Sequence, residues 1–180
     1  LESISLKYRR DLRDQEIFTI DGEDAKDLDD AVCVKKLSDG NYELGVHIAD
    51  VSHYVRENTE INREAVNRST SVYMLDRVIP MLPVELSNGC CSLNEGVDRY
   101  AMSCVMKINK RGDVVDADVF KSVINVTKRM NYHEVQFDID RNNEEIVSQY
   151  DDEKKKYAND NIAADEKYLE HLDLMAELAH

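Results

Sequence analysis

No apolar run in this 180-residue sequence approaches the length of a membrane span, and no secretory signal opens it. Neither a transmembrane helix nor an export segment is therefore expected. The four cysteines, Cys33, Cys90, Cys91 and Cys104, form no C-x-x-C pair, and the adjacent Cys90 and Cys91 lack zinc-ligand spacing. Neither a zinc site nor a disulfide framework is expected, and reduced thiols in a cytoplasmic protein are. Internal repeats are missing, and the one biased tract is the short run Lys154-Lys155-Lys156. Positive charge is scarce as well: 23 Lys and Arg stand against 37 Asp and Glu, a net charge of −14. Phosphate affinity comes from cations, so this balance argues against a chain that holds nucleic acid through its overall charge.

What the sequence does contain is one sizeable core and one concentrated cluster of acids. With 42% hydrophobic and 33% charged residues it fits a soluble globular class. Residues 134–180 carry 14 acids against 5 bases. Residues 21–30 hold Asp21, Glu23, Asp24, Asp27, Asp29 and Asp30 against the single base Lys26, and the rest of residues 1–133 balances to zero. Apolar residues flank the cluster on both sides: Ile17, Phe18 and Ile20 lead in, and Ala31, Val32 and Val34 lead out. The acids thus sit where two buried elements meet. Carboxylates beside a core need a cation or a donor network to offset lost hydration. A hard divalent cation with oxygen ligands meets that need. A calcium loop of the EF-hand kind does not fit, because its fifth and sixth positions would be Ala25 and Lys26 counted from Asp21, or Ala31 and Val32 from Asp27.

Asp21, Asp27, Asp29 and Asp30 spell D-x5-D-x-D-D within TIDGEDAKDLDDAV. The stretch resembles the signature of the RNB-domain ribonucleases, the ribonuclease II and ribonuclease R family. LGVHIADVSHYV (44–55), NRSTSVYMLDRVIPMLPVELSNGCCSLN (67–94) and DRYAMSCVMKIN (98–109) resemble the same domain in the same order, nearest to its bacterial ribonuclease R branch. The resemblance is dense from about Asp11 to Val135. It implies a magnesium-dependent, processive 3′→5′ exoribonuclease releasing 5′-mononucleotides, with the four aspartates as catalytic residues. Two divalent ions roughly 3.5–4 Å apart can activate water and stabilise both oxygens of a phosphodiester displacement. On this reading Asp21 and Asp30 hold the first magnesium, Asp29 serves the second ion or the attacking water, and Asp27 orients the site. Glu23 and Asp24 fall outside the motif and read as surface carboxylates.

By the same resemblance Tyr73 and Tyr132 are substrate-binding residues that stack RNA bases. A tyrosine in a mixed strand otherwise packs in a core; an aromatic face, though, stacks on any base without sequence preference. The implied partners are the 3′ end of single-stranded RNA and the OB-type RNA-binding domains that flank the catalytic domain in this family, which would supply the missing cations. The alternative function is a catalytically inactive relative serving as an RNA-binding or scaffold module; retention of all four aspartates argues against it. A His/Asp metal site at His47, Asp50 and His53 is opposed by its spacing, since strand alternation sets His47 against both Ile48 and Asp50.

The elements read as α+β: antiparallel hairpins packed with helices. Residues 1–15 are expected to be a linker or the end of a preceding region, and 16–180 the N-terminal portion of an RNB catalytic domain. Leu1 is not a start methionine and His180 comes mid-pattern without a stop signal, so the chain is expected to continue in a longer protein. Strands are expected near 16–20, 30–37 and 42–50, the last two joined at Ser38-Asp39-Gly40-Asn41. In the third, Tyr42, Leu44, Val46 and Ile48 alternate with Glu43, Gly45, His47 and Ala49, the pattern of a sheet with one buried face. Thr59 is the expected cap of a helix over 60–68, and residues 71–74 should be extended. Residues 80–95 read as turns with one helical turn among them, 99–109 and 114–125 as a long hairpin, and 131–137 and 151–180 as helices.

Overall fold

The turn predicted at Ser38–Asn41 closes as its residues dictate. Gly40 takes a φ of 77°, Asp39 accepts from the Asn41 amide, and the Leu37 amide donates to the Asn41 carbonyl. The computed structural model describes residues 4–141, 143–150 and 166–179. Seven strands form the main sheet: β1 (Arg10–Asp11), β2 (Phe18–Asp21), β3 (Asp30–Lys36), β4 (Tyr42–Ala49), β7 (Asp98–Ile108), β8 (Val114–Asn125) and β9 (Lys128–Asn131). Two short strands, β5 (Val72–Tyr73) and β6 (Val78–Ile79), make a separate exposed hairpin. The sheet order is β1-β8-β7-β4-β3-β2-β9.

The fold is α+β, as the sequence indicates, but the sheet is mixed rather than built of hairpins alone. The five central strands pair antiparallel, and parallel pairings occupy both edges: β1 with β8, and β2 with β9. Both parallel pairings join segments more than 100 residues apart, so no local turn signal announces them. Among the helices, α2 (Glu60–Arg68) begins where expected, with the Thr59 side chain accepting from the Asn62 amide. Helix α1 (Val51–Tyr54) precedes it, and the helical turn expected within residues 80–95 is a π-helical one at Glu85–Cys90. Helix α3 (Tyr132–Asp140) starts one residue later than predicted, after a capping box in which Asn131 and Glu134 satisfy each other's backbone amides. Helix α4 (Glu144–Ser148) follows, and α5 (Glu166–Ala179) realises the last part of the C-terminal stripe. The remainder of that predicted helix, residues 151–165, lies outside the described residues.

Both faces of the sheet are covered. On one, Phe18 and Met130 meet Leu172 of α5 and Val135 of α3, and Val34, Tyr42 and Ile108 pack under Leu174 and Leu178. On the other, Ile17, Ala31, Ala49, Ala101 and Ile124 pack with Leu28, Cys91 and Leu93 from the connecting loops. This two-sided burial corrects the expectation for β4. Its supposedly outward residues Gly45, His47 and Ala49 are buried, whereas Ile48 is 45% exposed. Gly45 is needed there, because a Cβ would stand 2.6 Å from Cys33 Sγ.

His47 sits in a polar row that crosses the sheet. Its Nδ1 is 2.7 Å from Ser103 Oγ, which is 2.6 Å from Ser122 Oγ, and its Nε2 is 3.4 Å from Cys33 Sγ. Burial pushes the imidazole down to about 4 and the Cys33 thiol up to about 11, so both are neutral at pH 7. Folding therefore favours unprotonated His47. The unfolded chain takes up a proton first as pH falls below 6.5, and stability drains away until the pH reaches about 4. His47→Gln is expected to flatten that part of the stability–pH curve by about 3 kcal/mol. Urea unfolding at pH 7, 5.5 and 4 measures it, and parallel curves for the two proteins would contradict the assignment.

Candidate active site

Leu28 is fully buried, among Ile17, Ala31 and Leu93, and its neighbours in sequence are the motif aspartates. With the leucine turned inward, Asp27 and Asp29 are directed away from the core. Backbone bonds hold it there: the Leu28 amide donates to Ser92 Oγ at 3.1 Å, the Leu93 amide to the Leu28 carbonyl at 2.8 Å, and Ser92 Oγ to the Lys26 carbonyl at 2.9 Å. From the other side the Arg129 guanidinium donates to the carbonyls of Glu23 and Ala25 at 2.9 and 2.8 Å. Residues 22–28, without regular structure of their own, thus have the carbonyls of Glu23, Ala25, Lys26 and Leu28 satisfied by β9 and by the loop after the π-turn.

The four predicted aspartates gather at one end of the sheet. Asp21 is the last residue of β2, opposite Asn131 of β9, and Asp30 is the first residue of β3, opposite Ile48. Asp29 precedes it, its carbonyl accepting from the Ala49 amide at 2.9 Å. Asp21 is half-buried, its Oδ2 enclosed with no hydrogen-bond partner, while Asp29 and Asp30 are exposed. Burial raises the Asp21 pKa above the usual carboxylate range; Asp30, Asp27 and Asp29 add to the rise, and Arg129 opposes it. Lost hydration and the charges of Asp27 and Asp30 raise Asp29 as well. Asp29 lies just outside β3, so strand alternation does not set it against Asp30.

Both predicted aromatic residues belong to the same end. Tyr73 is 66% exposed on the β5–β6 hairpin, and its hydroxyl donates to Asp27 Oδ2 at 2.8 Å. That bond raises the phenol's pKa. Tyr132 opens α3 immediately after Asn131, the residue paired with Asp21, and is 58% exposed. The rival trio is dispersed among other roles: His47 in the polar row, Asp50 on Arg9 and Ser52, and His53 against Tyr54 and Tyr100. Sequence reasoning missed Arg129, Ser92 and Asn131, which position the acids. Each is an ordinary polar residue far along the chain from the loop it holds, and no spacing marks it.

Among the described residues no three His, Cys, Asp or Glu side chains converge closely enough to hold a metal ion as they stand. The donor set nevertheless suits a hard divalent cation. It consists of neighbouring carboxylates, two of which, Asp21 and Asp29, have their pKa raised by burial and by the charges beside them, and it includes an enclosed oxygen, Asp21 Oδ2, that lacks a donor among the described residues.

Residues 9–180 match the family described as RNB domain. The chain is similar to "Ribonuclease R" of Thermotoga maritima, at 62% identity over 127 residues covering 71% of this chain and 18% of that protein. It is similar also to "Ribonuclease R 2" of Lactococcus lactis, at 55% identity over 135 residues covering 75% of this chain and 20% of that protein. It thus spans about a fifth of the length of these curated relatives. Among solved structures, Mycoplasma genitalium RNase R in complex with ribose methylated single-stranded RNA superposes with a TM-score of 0.76 at 30% identity, over 99% of this chain and 26% of that one. No helix among the described residues is long and apolar enough to cross a membrane.

A raised carboxylate pKa means that the fold prefers Asp21 protonated. Its charge is therefore a stability cost at neutral pH, and the cost vanishes once the pH falls below the ordinary carboxylate range. In the absence of metal, Asp21→Asn is expected to be more stable than the parent at pH 7 by up to about 1 kcal/mol. The two should converge by pH 3. Urea midpoints at both pH values measure the gap, and an Asn variant weaker than the parent at pH 7 contradicts the electrostatic account.

Proposed function

The chain belongs to the RNB domain family, and we propose that it is the N-terminal portion of the catalytic domain of a magnesium-dependent, processive 3′→5′ exoribonuclease that releases 5′-mononucleotides. The observation that carries the reading is the gathering of Asp21, Asp27, Asp29 and Asp30 at one sheet end beside two exposed tyrosines. Bound there, magnesium supplies charge stabilisation of the phosphodiester oxygens and a water of lowered pKa. Asp21 and Asp30 hold the first ion, and Asp29 serves the second ion or the attacking water.

The chain's own residues set the stage for this chemistry. Leu28 and Ser92 fix the backbone that carries the carboxylates, so receiving the ion requires movement of their side chains alone. Tyr73 and Tyr132 stack the terminal bases, and the Tyr73 hydroxyl keeps Asp27 oriented. The substrate is the 3′ end of single-stranded RNA. With a net charge of −14, this chain needs cationic help to hold it, and OB-type RNA-binding domains of the same protein supply that help. The setting is the cytoplasm, away from any membrane.

The test uses the full-length protein, with and without Asp29→Asn, on a 3′-tailed RNA with magnesium. Wild type should shorten the RNA from its 3′ end to mononucleotides, while the variant loses at least 100-fold in rate and still binds. Binding by wild type without any shortening would instead favour the inactive scaffold reading.

A further inference from the structure

A second concave site lies at the same sheet end and is built from residues with no part in the acidic cluster. It is an open cavity of about 660 Å³ lined by Lys7, Tyr8, Arg9, His53, Tyr100 and Lys121. In a chain of net charge −14, two cations, Arg9 and Lys121, converge here on one buried carboxylate, Asp50, and Lys7 adds a third to the cavity lining. Arg9 is nearly buried: it donates to Asp50 and to the Ser122 carbonyl, and its guanidinium lies 4.1 Å from the centre of the Tyr100 ring. Asp50 offsets one of those charges. The ammonium of Lys121 is half-exposed, 3.9 Å from Asp50, and leaves the mouth of the cavity positive.

The aromatic half of the cavity is preformed. His53 stacks edge-on against Tyr100 with centroids 4.4 Å apart, and the Tyr100 hydroxyl is fixed by the Ser5 amide at 2.7 Å. Lost hydration and the charge of Arg9 lower the His53 pKa, so its ring is neutral at pH 7 and presents a flat, uncharged face. Tyr8, with a φ of 61°, holds its ring away from the protein at 88% exposure, with the Lys7 ammonium 5.2 Å from the ring centre. An exposed aromatic ring beside exposed ammonium groups is a pairing that recognises a base and its phosphate together.

We propose that this cavity is a nucleotide-binding subsite, taking a nucleoside phosphate with its base on Tyr8 and its phosphate between Lys7 and Lys121. The register of the sheet ties it to the acidic end. Asp30 faces Ile48, Ile48 faces Met102, and Met102 faces Lys121, so the four share one row on one face. Three strand spacings separate Asp30 from Lys121, about 14 Å, or about four nucleotides at the stacked rise of 3.4 Å. Between them the exposed Ile48 leaves an apolar floor. A single strand with its end at the aspartates could then set an upstream nucleotide in the cavity. That strand assignment rests on the function proposed above; the cavity's own ligand chemistry does not.

The 180-residue chain, free of divalent metal and with EDTA present, is titrated with adenosine 5′-monophosphate and separately with octaadenylate RNA while amide resonances are followed by NMR. Shifts that saturate at Lys7, Tyr8, His53, Tyr100 and Lys121 are expected. Lys121→Gln and Tyr8→Ala should each weaken binding fivefold or more, with circular dichroism melts unchanged. Octaadenylate binding at least tenfold tighter than the monophosphate assigns the subsite to an RNA strand; equal affinities assign it to a free nucleotide. Absence of shifts at these residues with either ligand overturns the proposal. So does binding that both variants leave intact. Hydrolysis plays no part in the readout, so failure here is separate from failure of the catalytic reading.

Discussion

Burial of Leu28 is the constraint on which the acidic end of the sheet depends. A leucine between two aspartates is an awkward neighbour for them, since one side chain gains by leaving water and the others lose. The conflict is resolved by geometry: Leu28 enters the layer formed by Ile17, Ala31 and Leu93, and the flanking carboxylates are thrust outward. Ser92 and Arg129 then satisfy the backbone of a segment that cannot satisfy itself. The cost remains at Asp21, whose enclosed oxygen lacks a donor, as expected where a site gives up stability for chemistry.

The charge distribution carries the same logic to larger scale. The first 133 residues are neutral apart from the motif, so the negative potential at that end is not diluted by a generally acidic surface there. Arg129 is the cation that Asp21 feels, yet its hydrogen bonds go to carbonyls, and among the described residues the four carboxylates have no ion pair of their own. At the far side of the sheet Arg9 does the opposite, donating directly to Asp50 and neutralising it. One carboxylate is closed off and the others are kept available.

Much of this arrangement is legible in the sequence where the determinants are local. The hairpin turn at Asp39-Gly40, the Thr59 cap and the long β7–β8 hairpin follow from residues within a few positions of one another. The aspartate spacing and its two flanking apolar runs are local too. What local pattern cannot convey is coverage: β4 alternates as a one-sided strand should, yet it lies in mid-sheet with layers on both sides, and His47 and Ala49 are buried where Ile48 is not. Nor can it convey partners. Tyr73 meets Asp27 across 46 residues, and Arg129 reaches the acidic loop across more than 100. Those contacts arise only once β2 lies beside β9.

The parallel pairing of β2 with β9 has a consequence in time. Phe18 to Asp21 find their edge partners only in Lys128 to Asn131, and Arg10 and Asp11 wait likewise for Ser122 and Val123. Closing loops of that length comes late and slowly, because chain entropy must be surrendered before any contact is gained. During synthesis the strands β3, β4 and β7 can zip together as each emerges, while the acidic loop is still unanchored. The acidic loop is therefore synthesised about 100 residues before Arg129, the residue that anchors its carbonyls.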